Sequence, residues 1–112
     1  MHAFDVLGDP VRRRILDLLA DGELRSGEIV DAIGAEFGIS QSAVSQQLAV
    51  LRSSGFATVR SEGTRRIYAI DTTPMREVDE WVDRFRHLWG QRLDALDTEI
   101  ARGKRAADKE NR

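Results

Sequence analysis

The sequence has no cysteine, which excludes disulfides, thiol redox sensing, iron–sulfur clusters and thiolate metal sites together. Histidine is nearly absent too, because His2 and His87 are the only imidazoles. No apolar run approaches the roughly 18 residues of a membrane span, and residues 1–5 lack the basic start of a signal peptide. We therefore expect a cytoplasmic protein with no membrane partner.

The motifs of catalysis are missing as well. There is no G-x-S-x-G motif and no glycine-rich phosphate loop, and neither histidine lies in a nucleophile motif beside an orienting acid. The length of 112 residues, with 41% hydrophobic and 32% charged residues, is typical of one globular domain. We expect no enzyme activity and no cofactor.

The net charge of −2 conceals an uneven distribution of charge along the chain. No acidic residue occurs between Glu36 and Glu62, while the same segment contains Arg52 and Arg60. A segment that has bases but no acids indicates a surface that meets a polyanion such as nucleic acid.

Start and stop signals divide the first 70 residues into short elements. Capping residues, helical apolar spacing and terminating glycines predict three helices, and two β-rich runs around Gly63 predict a hairpin. The predicted elements are helices that begin at Pro10, Ser26 and Ser40 and end at Gly22, Gly38 and Gly55, and strands over residues 57–61 and 65–70.

A long helix is predicted over residues 74–101, because apolar residues recur there at steps of three and four. The charged residues 102–112 have no apolar period and are expected to be disordered. Residues 1–101 would then form a single domain. Its predicted fold class is mainly α, an α+β winged helix: a helix-turn-helix, a two-stranded β-hairpin wing over about residues 57–70 and a long C-terminal dimerisation helix.

The helix over about residues 40–54 is the predicted recognition helix. Its side turned away from the apolar Val44 and Leu48 carries short uncharged side chains, which can read base edges and accept phosphate contacts. A surface that is merely soluble typically uses Glu and Lys, and neither occurs here. The predicted DNA-binding residues of this helix are Ser42, Ser45 and Gln46 at or near bases, and Ser40, Gln41 and Arg52 at phosphates.

The predicted wing has arginines on both sides of its tip. Arg60, Arg65 and Arg66 surround Gly63 and could follow the DNA backbone or enter the minor groove. Charges on an exposed strand also prevent edge pairing, so the same residues have a purely structural interpretation. Beside a recognition helix, we interpret them as DNA contacts.

The run of three arginines at residues 12–14 is weaker evidence. Its members point in different directions on one helix, and we expect at least one of them to pair with an acid such as Asp9 or Asp17. Arg13 or Arg14 is a secondary candidate for phosphate contact.

The long helix carries more apolar surface than a domain of this size can cover. Two such helices meeting across a two-fold axis would bury it, together with the N-terminal Val6. The alternative is that the helix folds back on its own domain, and its two flanking apolar stripes suggest that it does both. The predicted interface residues are Phe4, Leu7, Val78, Trp81, Val82, Phe85, Leu88 and Trp89.

Asp83 and His87 have the i, i+4 spacing of a metal-ligand pair; Asp79 lies four residues earlier, and Glu80 could join across a dimer. A lone histidine among acids is more often an ion-paired surface residue. We therefore predict no metal site, and retain a metal-responsive repressor that uses Asp83 and His87 as an alternative.

Three segments of the chain resemble ArsR-type (ArsR/SmtB) transcriptional regulators. Residues 7–19 are similar to the opening of that family, residues 40–56 to its recognition helix and residues 60–68 to its wing. The resemblance covers roughly residues 4–101. It implies a winged helix-turn-helix homodimer with an interface built from the first and last helices, which represses by occupying an operator until a ligand releases the DNA.

The sequence departs from the family at both familiar inducer sites. Arg25 and Gly27 stand where the thiolate metal site has cysteines. The other site needs an Asp-x-His and a later pair of ligands three residues apart, but here only His87 is available and Gly90 follows it. Neither kind of metal inducer is therefore expected.

Other departures concern the DNA-binding segment. Residues 34–37 look like an insertion that lengthens the bracing helix or its exit. Gln47 and Ala49 stand where many members have His and Lys, so the base preference of the family does not carry over.

These observations predict a homodimeric repressor that binds double-stranded DNA at an inverted-repeat operator, with one recognition helix in each of two successive major grooves. A winged-helix protein-interaction module without a DNA role is the alternative from another class. The lack of lysine in the recognition helix favours that module slightly, whereas the acid-free segment and the wing arginines favour DNA.

Overall fold

The computed structural model describes the backbone of residues 2–110 and the side chains of residues 2–103. Three strands form one antiparallel sheet in the order β1-β3-β2, and five helices make up most of the rest. In chain order the elements are α1 (Ala3–Leu7), α2 (Pro10–Ala20), β1 (Leu24–Arg25), α3 (Ser26–Phe37), α4 (Gln41–Ser53), β2 (Ala57–Glu62), β3 (Arg65–Ile70) and α5 (Met75–Glu110).

The predicted winged helix-turn-helix is confirmed, and its helix boundaries follow from local capping. Asp9 begins α2, because its carboxylate accepts hydrogen bonds from the backbone nitrogens of Val11 at 2.8 Å and Arg12 at 3.2 Å. Gly38 ends α3 with a φ of 65°, a left-handed conformation that glycine adopts without steric cost. Gly63 has the positive φ, 63°, that was predicted for the hairpin turn.

Two short elements were not predicted. Strand β1 has only two residues, in which Leu24 pairs with Tyr68 and Arg25 with Ile67, so the sheet has three strands rather than the expected two. Helix α1 has five residues. Segments this short show no periodicity of their own, and β1 exists because the edge of β3 lies beside it.

The core lies where α2, α3 and α4 meet the sheet. Helix α4 contributes Val44, Leu48 and Leu51 to it, and these three residues share one side of the helix. Among the described side chains no polar or charged residue is buried, and none leaves a buried nitrogen or oxygen without a hydrogen bond. The largest fully buried side chains are Phe56, Ile15, Leu19, Ile29, Ile33, Leu51, Val6 and Val44.

Helix α5 is longer than predicted. It continues to Glu110, although we expected residues 102–112 to be disordered; residues 111 and 112 lie outside the described part of the chain. The segment has no apolar period, but its Lys, Arg, Ala and Glu residues have high helix propensity, which explains the difference. The described residues up to Val78 form one compact unit and those from Asp79 a second. The single domain expected over residues 1–101 stays a prediction.

The turn between α4 and β2 depends on Gly55. Its φ is 83°, and it allows the backbone nitrogen of Phe56 to donate to the carbonyl oxygen of Leu51 at 2.9 Å. This reversal ends α4 and carries Phe56 directly into the core, where it is fully buried.

Replacing Gly55 with alanine should therefore destabilise the protein by about 1–2 kcal/mol, because an L-residue is strained at this positive φ. The matched control is Gly27→Ala in α3, where a Cβ atom would meet nothing within 4 Å. There the same substitution should stabilise by roughly 0.4–1 kcal/mol, since alanine loses less backbone entropy on folding. Urea unfolding measures the change in the free energy of unfolding of each variant. Equal changes in the two variants would contradict this explanation of the turn.

Candidate nucleic-acid interface

Helix α4 presents a polar side to solvent because its apolar side is buried. Its first turn is capped by Ser40, whose Oγ accepts a hydrogen bond from the backbone nitrogen of Ala43 at 3.1 Å and lies 3.2 Å from the Ser42 Oγ. The predicted contact residues of this helix are all exposed: Ser42, Ser45, Gln46, Gln41 and Arg52. No ion pair engages Arg52 within the described part of the chain.

A groove of about 470 Å³ lies between α4 and the wing. Ser45, Ala49 and Arg52 line it from α4, and Arg66 and Tyr68 line it from β3. The groove thus joins the uncharged hydrogen-bonding surface of the helix to two guanidinium groups. A recognition helix and a wing can contact bases and phosphates through groups of these kinds.

Two arginines at the tip of the wing have no salt-bridge partner among the described residues. Arg65 and Arg66 are both exposed, and no salt bridge ties either of them to another described residue. Arg65 pairs across the strands with Glu62, and Arg66 with Ser61. The nearby carboxylate of Glu28 is hydrogen-bonded to Arg25, which is the main reason that its pKa lies below the usual value, and the charge of Arg65 adds to this shift.

Arg60 differs from its two neighbours because it is engaged within the protein. Its Nη1 lies 2.6 Å from Oε2 of Glu23, and its Nη2 lies 3.5 Å from Oε2 of Glu62. The hydrogen bond to Glu23 is the main reason that the pKa of Arg60 lies above its usual value. A phosphate would have to replace these carboxylates, so Arg60 is a weaker wing contact than Arg65 or Arg66.

The arginines of α2 are also engaged. Arg12 is only 12% exposed and lies 3.9 Å from Asp9, one of the two acids expected as a partner. Arg13 donates to the carbonyl oxygen of Leu7 at 2.7 Å. Arg14 pairs with Glu36 at 2.9 Å, a contact that raises the pKa of Arg14. These partners weigh against the secondary role predicted for Arg13 or Arg14 at phosphates.

The extra residues 34–37 have a structural use. They form the last turn of α3, and Glu36 within them is the partner of Arg14 on α2. These residues therefore help to link α3 to α2, while their interpretation as an insertion stays a prediction. The sequence prediction did not identify this ion pair, because its two residues lie 22 positions apart.

Helix α5 has an exposed apolar face, here defined as Trp81, Val82, Phe85, Leu88, Trp89, Leu93, Leu96 and Ile100, of which Val82 is half-buried. Trp89 is 57% exposed and Leu93 62%, values unusual for such large apolar side chains. The rings of Trp81 and Phe85 lie 4.9 Å apart. An almost wholly apolar cavity of about 230 Å³ lies among the first five of these residues.

The other predicted interface residues divide into those that keep exposed surface and those that pack within their own protomer. Phe4 is 43% exposed and Leu7 is half-buried, so both retain surface for a partner. Val78 is half-buried and packs against the core of its own protomer. Val6 is fully buried, and its prediction as an interface residue is wrong because α1 turns that side chain into the core.

The candidate metal ligands are not brought together as a site. Arg86 forms ion pairs with both Asp79 and Asp83, the two carboxylates that His87 would need. In the part of the chain that the structure describes, no group of three or more His, Asp or Glu side chains converges. The same part contains no helix with the length and apolar character needed to cross a bilayer.

Two features of the interface were not predicted. One is the groove itself, which depends on the distance between α4 and β3. The other is a hydrogen bond from Arg12 to Gln47 at 2.9 Å, which ties the recognition helix to α2. Neither has a sequence signal, since each depends on how separate elements of the fold pack together.

Comparisons with known proteins agree with this geometry. The family model described as "Bacterial regulatory protein, arsR family" matches residues 9–59. The chain is 37% identical over 84 residues to the HTH-type transcriptional regulator Rv2034 of Mycobacterium tuberculosis, covering 75% of each protein. It is 30% identical to the transcriptional repressor SdpR of Bacillus subtilis, covering 75% of this chain and 89% of SdpR.

A solved structure extends the likeness to the fold. It is the homodimeric winged helix-turn-helix DNA-binding domain of Mb0332 from Mycobacterium bovis, described as a possible ArsR-family regulator. The TM-score is 0.55 with 32% identity, and the match covers 72% of this chain and 74% of the other. From its matching family model, its relatives and its fold, this chain belongs to the ArsR family of bacterial transcriptional regulators.

Proposed function

We propose that this regulator is a homodimeric repressor that binds an inverted-repeat operator in double-stranded DNA and has no enzymatic activity. The observation that carries the proposal is the groove in which the uncharged polar side of α4 meets the free guanidiniums of Arg52 and Arg66. The family supports regulation of transcription, and the relative SdpR is named a repressor. Because its target would be the chromosome, we propose a cytoplasmic location.

Helix α4 would enter the major groove with its N-terminal half. Ser42, Ser45 and Gln46 can donate and accept hydrogen bonds, and Gln can bind adenine with two bonds at once. Gln41 and the amides near the Ser40 cap would contact the phosphate backbone, because the first amides of a helix point outward and carry partial positive charge. Arg52, in the last turn, would reach a further phosphate.

The wing would follow the DNA backbone or the adjacent minor groove. Arg65 and Arg66 are free to contact DNA without breaking an ion pair, as described above. Arg60 would contribute only after exchanging Glu23 for a phosphate, which lowers the gain from that contact. The carboxylate of Glu23 also disfavours contact of Arg60 with DNA of any sequence.

The second protomer would cover the exposed apolar face of α5. Burial of large apolar side chains across a two-fold axis removes them from water, and it holds two recognition helices at a fixed separation of about one duplex turn. The homodimeric Mb0332 domain supports this arrangement. Contacts of Phe4 and Leu7 with the partner remain a prediction.

The first experiment is selection of bound duplexes from a random pool by the purified protein, followed by titration of the selected and a scrambled duplex. A regulator of this kind should prefer the selected duplex by roughly three or more orders of magnitude. An inverted repeat in the selected sequences would support the dimeric mode. Equal binding to both duplexes, or none, would favour the interaction-module alternative.

Gln46→Ala should weaken binding to the selected duplex by about 1–3 kcal/mol and leave binding to the scrambled duplex nearly unchanged, because a base contact acts only at the cognate site. The matched control is Gln91→Ala on α5, the same substitution in the other compact unit, which should change neither affinity. Fluorescence anisotropy at fixed salt measures both. An equal loss on the two duplexes would show that Gln46 does not read bases.

Replacing both Arg65 and Arg66 with alanine should reduce the slope of log affinity against log salt by roughly 2, since each phosphate contact releases about 0.9 counterion. The ratio of selected to scrambled affinity should stay nearly constant. Arg14→Ala serves as the control, because Arg14 is already paired with Glu36. A slope unchanged by the double substitution would place the wing outside the interface.

Trp89→Asp should dissociate the dimer, raising its dissociation constant by on the order of 100-fold or more, because a charge would be buried in an apolar interface. The folded monomer should be little affected, since Trp89 is 57% exposed in it. Gln91→Asp is the control, because at 100° per residue it lies on the opposite side of α5. Sedimentation velocity distinguishes monomer from dimer. A wild-type protein that sediments as a monomer would contradict the proposed dimer.

A further inference from the structure

Arg12 makes more directional contacts than any other arginine of the described chain. Its Nε donates to the carbonyl oxygen of Val6, its Nη2 to that of Asp5 and its Nη1 to Oε1 of Gln47, each at 2.9 Å. One planar guanidinium on α2 therefore binds α1 and α4 simultaneously. The side chain is only 12% exposed, so water competes weakly for these bonds.

The acceptor on α4 is a neighbour of the proposed base-reading residues but faces the other way. Gln47 is half-buried and bound to Arg12, whereas Gln46 beside it is exposed. Gln47 is also next to the fully packed Leu48, which is 3% exposed. The amide of Gln47 is thus directed toward α2 rather than into the groove that α4 forms with the wing.

Apolar packing alone leaves α4 some freedom to rotate or slide, because dispersion and burial are not directional. A hydrogen bond to a rigid guanidinium is directional, and the same plane is fixed at two further points on α1. Asp9 adds an ion pair to Arg12 at 3.9 Å and also caps α2. This cluster therefore adds a directional restraint on the angle of α4 relative to α1 and α2.

We propose that Arg12 and Gln47 are positioning residues that set the orientation of the recognition helix and thereby the sequence discrimination of the regulator. Neither touches DNA. The proposal rests on the proposed function, because it concerns how precisely α4 meets base edges. Displacement of reading side chains by a fraction of an ångström impairs bidentate hydrogen bonds but hardly affects phosphate contacts.

Gln47→Met tests this with little change in volume. Affinity for the selected duplex should fall about tenfold, while affinity for the scrambled duplex should change by less than about twofold. Arg12→Lys should act in the same direction, because an ammonium cannot hold three acceptors in one plane. The double variant should lose no more affinity for the selected duplex than the more affected single variant, since both substitutions remove the same interaction.

Gln47→Glu is the conservative variant that keeps an acceptor for Arg12. Its carboxylate should lower affinity for both duplexes by repulsion yet preserve their ratio, because the charge-assisted bond to Arg12 still orients α4. Loss of the ratio in Gln47→Glu together with full discrimination in Arg12→Lys would mean that Gln47 itself contacts DNA. That result would overturn the proposal.

A readout without DNA separates this proposal from the proposed function. Residual dipolar couplings of backbone amides in the free protein should show that α4 is reoriented relative to α1 in Gln47→Met and not in Gln46→Met. Thermal unfolding of each variant identifies any general loss of stability. An unchanged α4 orientation in folded Gln47→Met would overturn the positioning role, whereas a wild-type protein without duplex preference would overturn the proposed function.

Discussion

Burial of one side of α4 is the constraint on which the rest of this structure depends. Val44, Leu48 and Leu51 complete a core that contains no buried polar residue among the described side chains. Because the helix has a fixed period, burying these three residues directs Ser45 and Gln46 into solvent. The same hydrophobic contact that stabilises the fold therefore also defines the surface available to DNA.

Arginine performs two different tasks in this chain. Arg12 and Arg14 connect helices to one another, and Arg60 is held by the carboxylate of Glu23. Arg65 and Arg66 have no such partner in the described chain and retain their charge for a ligand. A count of basic residues in the sequence does not distinguish these tasks, because the distinction depends on which carboxylate or carbonyl oxygen the fold brings near.

The parts that could be predicted from sequence depend on local chemistry. Helix boundaries followed from Asp9, Gly38 and Gly55, and the exposed side of α4 followed from its apolar period. Strand β1, the groove and the bond between Arg12 and Gln47 could not be predicted, because they arise from contacts between distant segments. The helical end of α5 could not be predicted from periodicity, because its residues have high helix propensity but no apolar face.

The short strand β1 limits how the wing can adapt to a duplex. Strand β3 is paired on both edges, with β2 over six residues and with Leu24 and Arg25 on the other side. Arg25 is followed directly by α3. A change in the orientation of the hairpin that keeps this pairing would therefore also move α3. If the wing contacts DNA as proposed, the duplex would have to adapt its shape to the wing more than the wing to the duplex. Such binding favours sequences with flexible pyrimidine–purine steps near the wing.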